Sequence, residues 1–262
     1  MPPTLLTNFT EQFGVNAQTD NSVIFVMVHG ADGSIASFYE LSRLLKIPIV
    51  GVSYVASVAG SCQSIEEFAF AYLNHLSQQY PQTTFIPAGH SFGGLVAYEM
   101  AAMLALRNKK EVPAFLLDPN LPLAMQNYQA ERLLELRVLA SSIFPQSLIE
   151  HHQVYQSEES TLLKLLYRCL KPHRLEEILE TRKHCLRALS RYALKDHPAV
   201  VGHMIHASER LSYDFTDQDT KVITTGKHVG GNHFTMLNVP HVEDIASHIN
   251  LKLGHYYECR SL

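Results

Sequence analysis

Cysteine is scarce in this sequence of 262 residues, and its few thiols are not grouped. None of the four cysteines forms a C-x-x-C pair, and their scatter is not typical of a disulfide framework or a zinc site. We therefore expect neither structural disulfides nor a bound metal. The pattern instead indicates reduced thiols in a cytoplasmic protein: Cys62, Cys169, Cys185 and Cys259.

An excess of positive charge is also missing. Lys and Arg number 21 against 25 Asp and Glu, a formal net charge of -4, whereas proteins that bind nucleic acid or anionic membranes usually carry basic clusters. The amino-terminal segment has neither the basic nor the apolar part of a secretory signal. The longest clear apolar strand run, Val23 to Val28, is far too short to cross a bilayer. We expect no nucleic-acid partner, no membrane insertion and a cytoplasmic location.

Short apolar runs and helical patterns alternate over residues 1–120. With 46% hydrophobic and 18% charged residues, the composition is that of an ordinary globular protein. Continuous β-rich runs are typical of strands buried on both faces, and strands that alternate with helices favour a mostly parallel sheet flanked by helices. We predict an α/β fold with strands at Val23 to Val28, Pro48 to Val52, Thr84 to Ala88 and Ala114 to Leu117.

Capping residues and apolar spacing predict where two of the helices lie. Ser64 and Glu67 form the S-x-x-E pattern of a capping box, so a helix should begin just after Ser64. Phe68, Tyr72 and Leu76 would then share its buried face. The last helix is predicted from apolar residues that fall on one face: Val242, Ile245, Ala246, Ile249 and Leu253.

The middle of the chain differs from both ends, because strand patterns disappear and leucines at helical spacing replace them. Strands return at Val201 to Ala207 and at Lys221 to Thr225. We interpret residues 125–198 as a helical lid insertion. One domain would then span residues 1–262, with a core of residues 1–124 and 199–262 and boundaries that are soft by several residues.

The stretch Gly89-His90-Ser91-Phe92-Gly93 matches the G-x-S-x-G nucleophile elbow, in which a sharp strand-to-helix turn exposes a serine hydroxyl. It follows a predicted strand and precedes an apolar run typical of a helix, as the motif requires. A Gly/Ser turn with no catalytic role is the alternative. We predict that Ser91 is a nucleophile and that His90 has a packing or supporting role.

A serine nucleophile needs a histidine base and an acid that orients the histidine. Among the 15 histidines, His233 lies in a Gly-rich loop between the last predicted strand and the last helix, which gives the chain order Ser, acid, His of such elbows. The acid is either Asp118 or Glu209, since each follows a predicted strand. Asp118 precedes Pro-Asn and could instead be a turn former.

Two backbone donors are expected to stabilise the oxyanion that forms when the serine attacks a carbonyl. One is the N–H of Phe92, directly after the nucleophile, and the other is the N–H of Ala31 in the loop after the first buried strand. That loop, HGADGS, could alternatively bind phosphate. It lacks the lysine of GxxxxGK[ST] and does not match GxGxxG, which excludes the usual phosphate motifs.

Together these segments resemble the thioesterase domain at the carboxyl end of animal fatty acid synthases and the related terminal domains of polyketide and non-ribosomal peptide synthases. The resemblance covers residues 5–251 and rests on VMVHGADGS, LLKIPIVGVSY, PAGHSFGGLVAYEMA, FLLDPN and GGNHFTML. GHSFGGLVAYEMA is closer to the polyketide and peptide synthases, and KIPIVGVSY is closer to the animal fatty acid synthases. The lid segment matches least.

The resemblance implies an α/β-hydrolase fold, and it favours Asp118 over Glu209 because the family's acid follows the strand directly after the nucleophile's helix. This sequence departs from the family at Asn232, where many relatives have Asp, and at Pro119, where Gly or Ser is more usual. Residue by residue, the resemblance implies the nucleophile Ser91, the base His233, the acid Asp118 and the backbone oxyanion donors Ala31 and Phe92.

The implied activity is hydrolysis of an acyl thioester to the free acid through an acyl-enzyme on Ser91. The acyl group, a long-chain fatty acyl or polyketide chain, would be carried on the phosphopantetheine of an acyl carrier protein or on CoA. No metal or dissociable cofactor is needed, and the chain is either a free-standing enzyme or a domain of a larger megasynthase. A basic set could dock an acidic carrier protein, although a solvated helix face is favoured for it: Lys164, Arg168, Lys171 and Arg174.

Other functions stay open at this point. A macrocyclising or editing thioesterase would form the same acyl-enzyme, and a general carboxylesterase would differ in preferring oxygen esters. A catalytically inactive α/β-hydrolase scaffold that binds an apolar ligand is the non-enzymatic alternative. Such scaffolds usually lose a triad residue, whereas Ser91, His233 and an acid all remain here.

Overall fold

The computed structural model describes residues 10–13, 22–119, 132–209 and 225–258. The strands in these ranges are β1 (Thr10–Phe13), β2 (Val23–Val28), β3 (Ile49–Val52), β4 (Thr84–His90), β5 (Val112–Leu117), β6 (Val200–Ala207) and β7 (Thr225–Val229). They form one seven-stranded sheet in the spatial order β1-β3-β2-β4-β5-β6-β7. Strand β1 runs antiparallel to β3, and all other pairs are parallel. The predicted α/β fold with a mostly parallel sheet is confirmed.

The helices connect the strands and cover both faces of the sheet. After a 3₁₀ turn at Ala36–Phe38 they are α1 (Tyr39–Leu44), α2 (Ala56–Ala59), α3 (Ile65–Gln79), α4 (Phe92–Asn108), α5 (Arg132–Ile143), α6 (Gln146–His151), α7 (Glu159–Leu166), α8 (Pro172–Ser190) and α9 (His241–Glu258). Across the ranges that the structure describes, no helix combines the length and apolar character needed to cross a membrane.

Helix α3 begins at the capping residue that the sequence predicts. The hydroxyl oxygen of Ser64 accepts a hydrogen bond from the N–H of Glu67 at 3.2 Å. The carboxylate of Glu67 reaches back by one more residue than in the usual box and accepts from the N–H of Gln63 at 2.6 Å. The bond to Ser64 satisfies an N–H group that the first helical turn leaves without a partner, and the bond from Gln63 fixes the residue before the cap.

Successive residues of β2 belong to different hydrophobic cores, one on each face of the sheet. Ile24 and Val26 contribute to the core beneath α3 and α4, which includes Tyr72. Phe25 and Met27 contribute to the opposite core, beneath α1 and α9. This burial on both faces explains why the strand is a continuous apolar run. The predicted apolar face of α9 is buried in the second core: Val242, Ile245, Ala246, Ile249 and Leu253.

The last strand lies later in the chain than the sequence predicts. The predicted strand, Lys221 to Thr225, overlaps β7 only at Thr225, and residues 221–224 lie outside the described residues. Strand β7 forms the edge of the sheet, with Gly226 and His228 exposed and Val229 buried. An edge strand of this kind has no continuous apolar run, so the sequence pattern favours the more apolar residues before it.

Helices α5 to α8 follow β5 and fall within the segment predicted as a lid. Leu136, Leu162 and Leu175 belong to a hydrophobic cluster of their own. The second half of α8 leaves that cluster, and its residues Cys185 and Leu189 pack into the core beneath α4. Helix α8 therefore joins the helical segment to the sheet domain.

The cysteines that the structure describes are not bonded to one another. Cys62, Cys169 and Cys185 have free thiols, with Cys62 and Cys185 buried and Cys169 exposed. Cys259 lies outside the described residues. Burial raises the pKa of the Cys185 thiol, which keeps this side chain protonated within the core.

Candidate active site

Ser91 occupies a sharp turn between the end of β4 and the start of α4. Its φ of 56° and ψ of -125° lie in a region that residues with a side chain rarely adopt, and holding such a conformation costs about 1–3 kcal/mol. The N–H of Ser91 donates a hydrogen bond to the carbonyl oxygen of Leu117 on β5 at 2.9 Å. The neighbouring strand thus holds the strained turn in place.

The two glycines of the elbow are required by close backbone contacts. A Cβ atom on Gly89 would lie 2.2 Å from the carbonyl group of Gly93. A Cβ atom on Gly93 would lie 2.3 Å from the carbonyl oxygen of Val28 and 2.4 Å from that of His29. Since these neighbours are backbone atoms, they cannot rotate away. The G-x-S-x-G pattern is therefore set by the approach of α4 to β4 and to the end of β2.

His233 and Asp118 lie together at the carboxyl ends of the parallel strands. Asp118 follows β5, and its Oδ2 is 2.8 Å from Nδ1 of His233. Its Oδ1 accepts a hydrogen bond from the N–H of Ala207 at 3.1 Å. A carboxylate can only accept, so the proton of His233 lies on Nδ1 and leaves Nε2 with a lone pair. That is the tautomer a general base requires.

The environment of Asp118 favours its ionised form. Burial by itself would raise the pKa of this carboxyl group, because the charged form loses its water. The imidazole of His206, 3.8 Å from Oδ1, and that of His233 outweigh this effect and hold the pKa of Asp118 well below its usual range. Glu209, the alternative acid, has an exposed side chain, and its N–H donates to the carbonyl oxygen of Gly231 at 3.0 Å.

His90 supports the loop that carries His233. Its Nε2 donates a hydrogen bond to the carbonyl oxygen of His233 at 2.8 Å, and the two rings lie with their centroids 4.6 Å apart. Burial and the nearby His233 lower the pKa of His90 to about 3, so the ring is neutral at physiological pH. The supporting role predicted for His90 agrees with these contacts.

Asn232 shapes the turn in which His233 lies. Its Oδ1 accepts hydrogen bonds from the N–H groups of Phe234 at 3.0 Å and Thr235 at 3.1 Å. The preceding Gly231 has a φ of 82°, which favours glycine. An amide oxygen accepts these bonds as an aspartate would, so the departure from the family at Asn232 preserves the turn.

The loop that follows β2 is held by a buried histidine that sequence reasoning missed. Nδ1 of His29 donates to the carbonyl oxygen of Gly30 at 2.5 Å, and Nε2 accepts from the hydroxyl of Tyr72 at 2.6 Å. Burial lowers the pKa of His29 to about 4, which matches a neutral ring with one donor and one acceptor. The loop places Ala31 beside the cavity that also contains Ser91.

Phe92 is the first residue of α4. The first N–H groups of a helix have no partner within it and point outward from its end. The N–H of Phe92 therefore has no acceptor within α4 and lies directly after Ser91 in the chain. Its ring stacks on His29 with centroids 5.8 Å apart, which ties the start of α4 to the loop after β2.

Three of the candidate residues, Ala31, Ser91 and His233, line a cavity of about 530 Å³. Charged side chains also reach the cavity: Asp32 from the loop after β2, and Arg174 and Arg182 from α8. Apolar side chains of α5 and α8 form much of the remaining wall: Leu134, Val138, Leu139, Ile143, Ile178 and Leu186. In the part of the chain that the structure describes, no group of three or more His, Cys, Asp or Glu side chains is arranged to hold a metal ion.

The order of the parallel strands, the strained serine after β4 and the His–Asp pair at the same edge of the sheet define the class of protein: this is an α/β hydrolase. The chain belongs to the thioesterase domain family, whose family model matches residues 24–253. The resemblance noted from the sequence motifs is confirmed by this match.

A curated relative is a synthase much longer than this chain. A non-reducing polyketide synthase, terA of Aspergillus terreus, is 23% identical over 268 residues, which cover 90% of this chain and 12% of that protein. The chain thus spans a small part of the length of this curated relative.

Similar solved structures are thioesterase domains and a multidomain synthetase. The NocB thioesterase domain, in covalent complex with a fluorophosphonate nocardicin G analog, has a TM-score of 0.67 at 18% identity, covering 94% of this chain and 100% of that one. The four-domain non-ribosomal peptide synthetase AB3403 has a TM-score of 0.67 at 19% identity, covering 93% of this chain and 20% of that one. At these identities the structures show a shared fold.

Proposed function

We propose that this chain is a serine thioesterase that releases acyl chains as free acids, with Ser91 as nucleophile, His233 as base and Asp118 as the acid that orients His233. The observation that carries the proposal is the 2.8 Å contact between buried Asp118 and Nδ1 of His233, since His233 lines the same cavity as the strained Ser91. This contact leaves Nε2 of His233 available to take a proton.

The first half of the reaction acylates the serine. As Oγ of Ser91 attacks the thioester carbonyl carbon, Nε2 of His233 takes the hydroxyl proton. The tetrahedral intermediate then collapses, the carbon–sulfur bond breaks, and His233 returns the proton to the departing thiol. Asp118 stabilises the imidazolium in between, because it stays ionised next to it.

The second half of the reaction uses water. Nε2 of His233 takes a proton from water, whose oxygen attacks the acyl-enzyme carbonyl, and the free acid leaves as Ser91 is protonated again. In both halves the negative oxygen would accept hydrogen bonds from the N–H groups of Ala31 and Phe92. The glycines around the elbow and the His29 contacts support these donors, because they fix the backbone on which the N–H groups lie.

The substrate we propose is a long-chain fatty acyl or polyketide thioester. The apolar wall that α5 and α8 supply suits an extended chain, and the helical segment would act as the lid over it. The acyl group would arrive on the phosphopantetheine of an acyl carrier protein or on CoA, and no cofactor of the enzyme itself would take part. The synthase relatives support a role as a domain of a larger megasynthase, for which we propose a cytoplasmic location.

The decisive experiment measures hydrolysis of acyl-CoA thioesters of four to eighteen carbons beside p-nitrophenyl esters of the same chain lengths. Intact-protein mass spectrometry would follow the acyl adduct on Ser91. We expect turnover of thioesters to free acids, with Ser91→Ala reducing turnover by about 10⁴- to 10⁶-fold.

Three other results would each point elsewhere. Preference for the oxygen esters would indicate a carboxylesterase. An adduct that resists water but is released by an internal hydroxyl or amine would indicate cyclisation. Absence of both turnover and adduct in a folded protein would contradict the proposal and favour a binding scaffold.

A further inference from the structure

The cavity wall contains a charged side chain that the proposed mechanism does not use. Arg182 lies in the middle of α8, is only 8% exposed, and lines the cavity with Ser91 and His233. Burying a guanidinium among apolar side chains is unfavourable unless it is paired and hydrogen-bonded. A role in binding the acyl chain would explain why this position is an arginine.

The pairing of Arg182 is incomplete. Its Nε donates to Oε2 of Glu135 on α5 at 2.5 Å, and both side chains are almost fully buried. The structure gives the two terminal nitrogens of Arg182 no acceptor among the residues it describes, and Oε1 of Glu135 is likewise buried without a partner there. Up to four N–H donors of a buried cation are thus available on the wall of the acyl cavity.

Asp32 complements these donors with acceptor oxygens. It lies on the loop after β2, follows Ala31 directly, and lines the same cavity. The charge of Arg182 acts on it across the cavity, although burial has the larger effect and raises the pKa of Asp32. Oδ1 of Asp32 accepts a hydrogen bond from the N–H of Ser34 at 3.3 Å, and Arg182 and Asp32 both line the cavity beside the nucleophile.

The charges around the cavity nearly cancel, which decides what kind of group would bind. Arg182 pairs with Glu135, and Arg174 pairs with Glu177 at 2.9 Å, while Asp32 adds a further carboxyl group. This set offers no net positive charge to neutralise a carboxylate or phosphate. A neutral oxygen can still accept a charge-assisted hydrogen bond from the guanidinium.

Arg182 lies between apolar side chains on the cavity wall that would contact the acyl chain. Ile178 and Leu186 lie four residues before and after Arg182 on α8, so all three side chains share one face of the helix. A chain extended along that face would meet apolar, polar and apolar surface in turn. A fully saturated chain would leave the donors of Arg182 unpaired and desolvated.

We propose that Arg182 and Asp32 form a polar subsite that hydrogen-bonds a keto or hydroxyl oxygen of the acyl chain, so that the enzyme prefers oxygenated acyl thioesters to saturated ones. This inference rests on the proposed thioesterase function. It names Arg182 as a specificity-determining residue.

The test compares N-acetylcysteamine thioesters of decanoic acid with those of its oxo and hydroxy derivatives substituted at different positions along the chain. We expect the wild-type kcat/KM to be about 10- to 100-fold higher for at least one oxygenated chain, as one or two hydrogen bonds to a charged group would give. In the double variant Glu135→Leu/Arg182→Met the ratio of oxygenated to plain substrate should fall to near one. This variant replaces the whole ion pair, because removing one partner would leave a buried charge.

The matched control is Arg187→Met, an exposed arginine further along α8, which should keep the wild-type ratio. Comparing ratios between variants cancels the differing reactivity of the thioesters. Should the double variant not fold, calorimetry of the free oxo and saturated acids binding to the wild type gives the same comparison without turnover.

Equal kcat/KM for plain and oxygenated chains in the wild type, or an unchanged ratio in a folded double variant, would overturn the subsite. An Arg182 effect seen only with phosphopantetheine thioesters, which carry a phosphate, would overturn it in favour of the carrier arm. If only the subsite proposal is wrong, the enzyme still hydrolyses plain thioesters. Failure of the proposed function itself removes turnover and the Ser91 adduct for every chain.

Discussion

At the scale of single residues, the identity of the catalytic acid is the sharpest question. We predict that Asp118→Asn lowers turnover by up to about 10⁴-fold, because an amide can hold His233 in the wrong tautomer while filling the same space. Steady-state hydrolysis of a long-chain acyl-CoA measures the effect, with circular dichroism to show that the variant is folded.

Glu209→Gln is the matched control for this prediction. Glu209 also follows a strand of the sheet, but its side chain is exposed. We expect its turnover to stay within about twofold of wild type. A large loss in Glu209→Gln together with a small loss in Asp118→Asn would reverse the assignment of the acid.

Some residues of the site could be predicted from the sequence because their positions follow from the fold. Ser91, Asp118 and His233 each come directly after a strand or in the last loop, and the carboxyl ends of parallel strands meet at one edge of a sheet. Arg182 and Asp32 are different, since a helix of the lid segment and a loop after β2 bring them to the wall of one cavity. Nothing in the local pattern around either residue indicates that they line the same cavity.

At the scale of elements, the close packing of α4 makes the elbow sensitive to a single methyl group. We predict that Gly93→Ala destabilises the protein by about 3 kcal/mol, the upper end of the usual cost of overpacking, since the new Cβ would lie 2.3 Å from the carbonyl oxygen of Val28. Urea unfolding measures this loss. If the loss of stability is larger, the variant should be insoluble or unfolded.

Gly254→Ala is the control, because it changes the same residue type in a helix with open space around it. Apart from the neighbouring turns of α9 itself, no atom of the described residues lies within 4 Å of the Cβ position of Gly254. Alanine has a higher helix propensity than glycine, so this variant should gain up to about 1 kcal/mol. If both variants lost stability equally, the loss at Gly93 would not come from the contacts at the elbow.

Whether an element could be predicted depended on how it is buried. Strand β2 is covered on both faces and is a continuous apolar run, whereas the edge strand β7 contains exposed Gly226 and His228 before buried Val229. The packing partners of α8 could not be predicted from the sequence either, because leucines at helical spacing do not show which hydrophobic cluster they join. Its first half packs with the lid helices and its second half packs into the core.

At the scale of the whole molecule, buried neutral histidines link stability to pH. The pKa is lowered to about 4 for His29, to about 3 for His90 and to about 4 for His203, with burial as the largest cause in each case. In the unfolded chain a histidine has a pKa of about 6.5. Between these values the unfolded state binds more protons than the folded state, so stability falls as the pH falls.

We predict that the free energy of unfolding decreases steadily from about pH 6.5 to pH 4.5, and that His203→Phe makes this decrease shallower. His203 lies on β6, where it stacks on Phe115 with ring centroids 4.9 Å apart, so a phenyl ring can replace it within the core. One histidine fewer should reduce the slope by up to about 1.4 kcal/mol per pH unit. Urea unfolding at several pH values in this range measures the slope.

Between about pH 6.5 and pH 4.5 the loss of stability comes from protonation of the buried histidines and not from protonation of Asp118. The pKa of Asp118 is lowered, so the stability that Asp118 contributes is present above its unfolded value of about 4 and is lost only below it. His255→Phe changes an exposed histidine and controls for the ring substitution. If His203→Phe and His255→Phe had the same slope as the wild type, proton uptake by buried histidines would not be what destabilises this fold in mild acid.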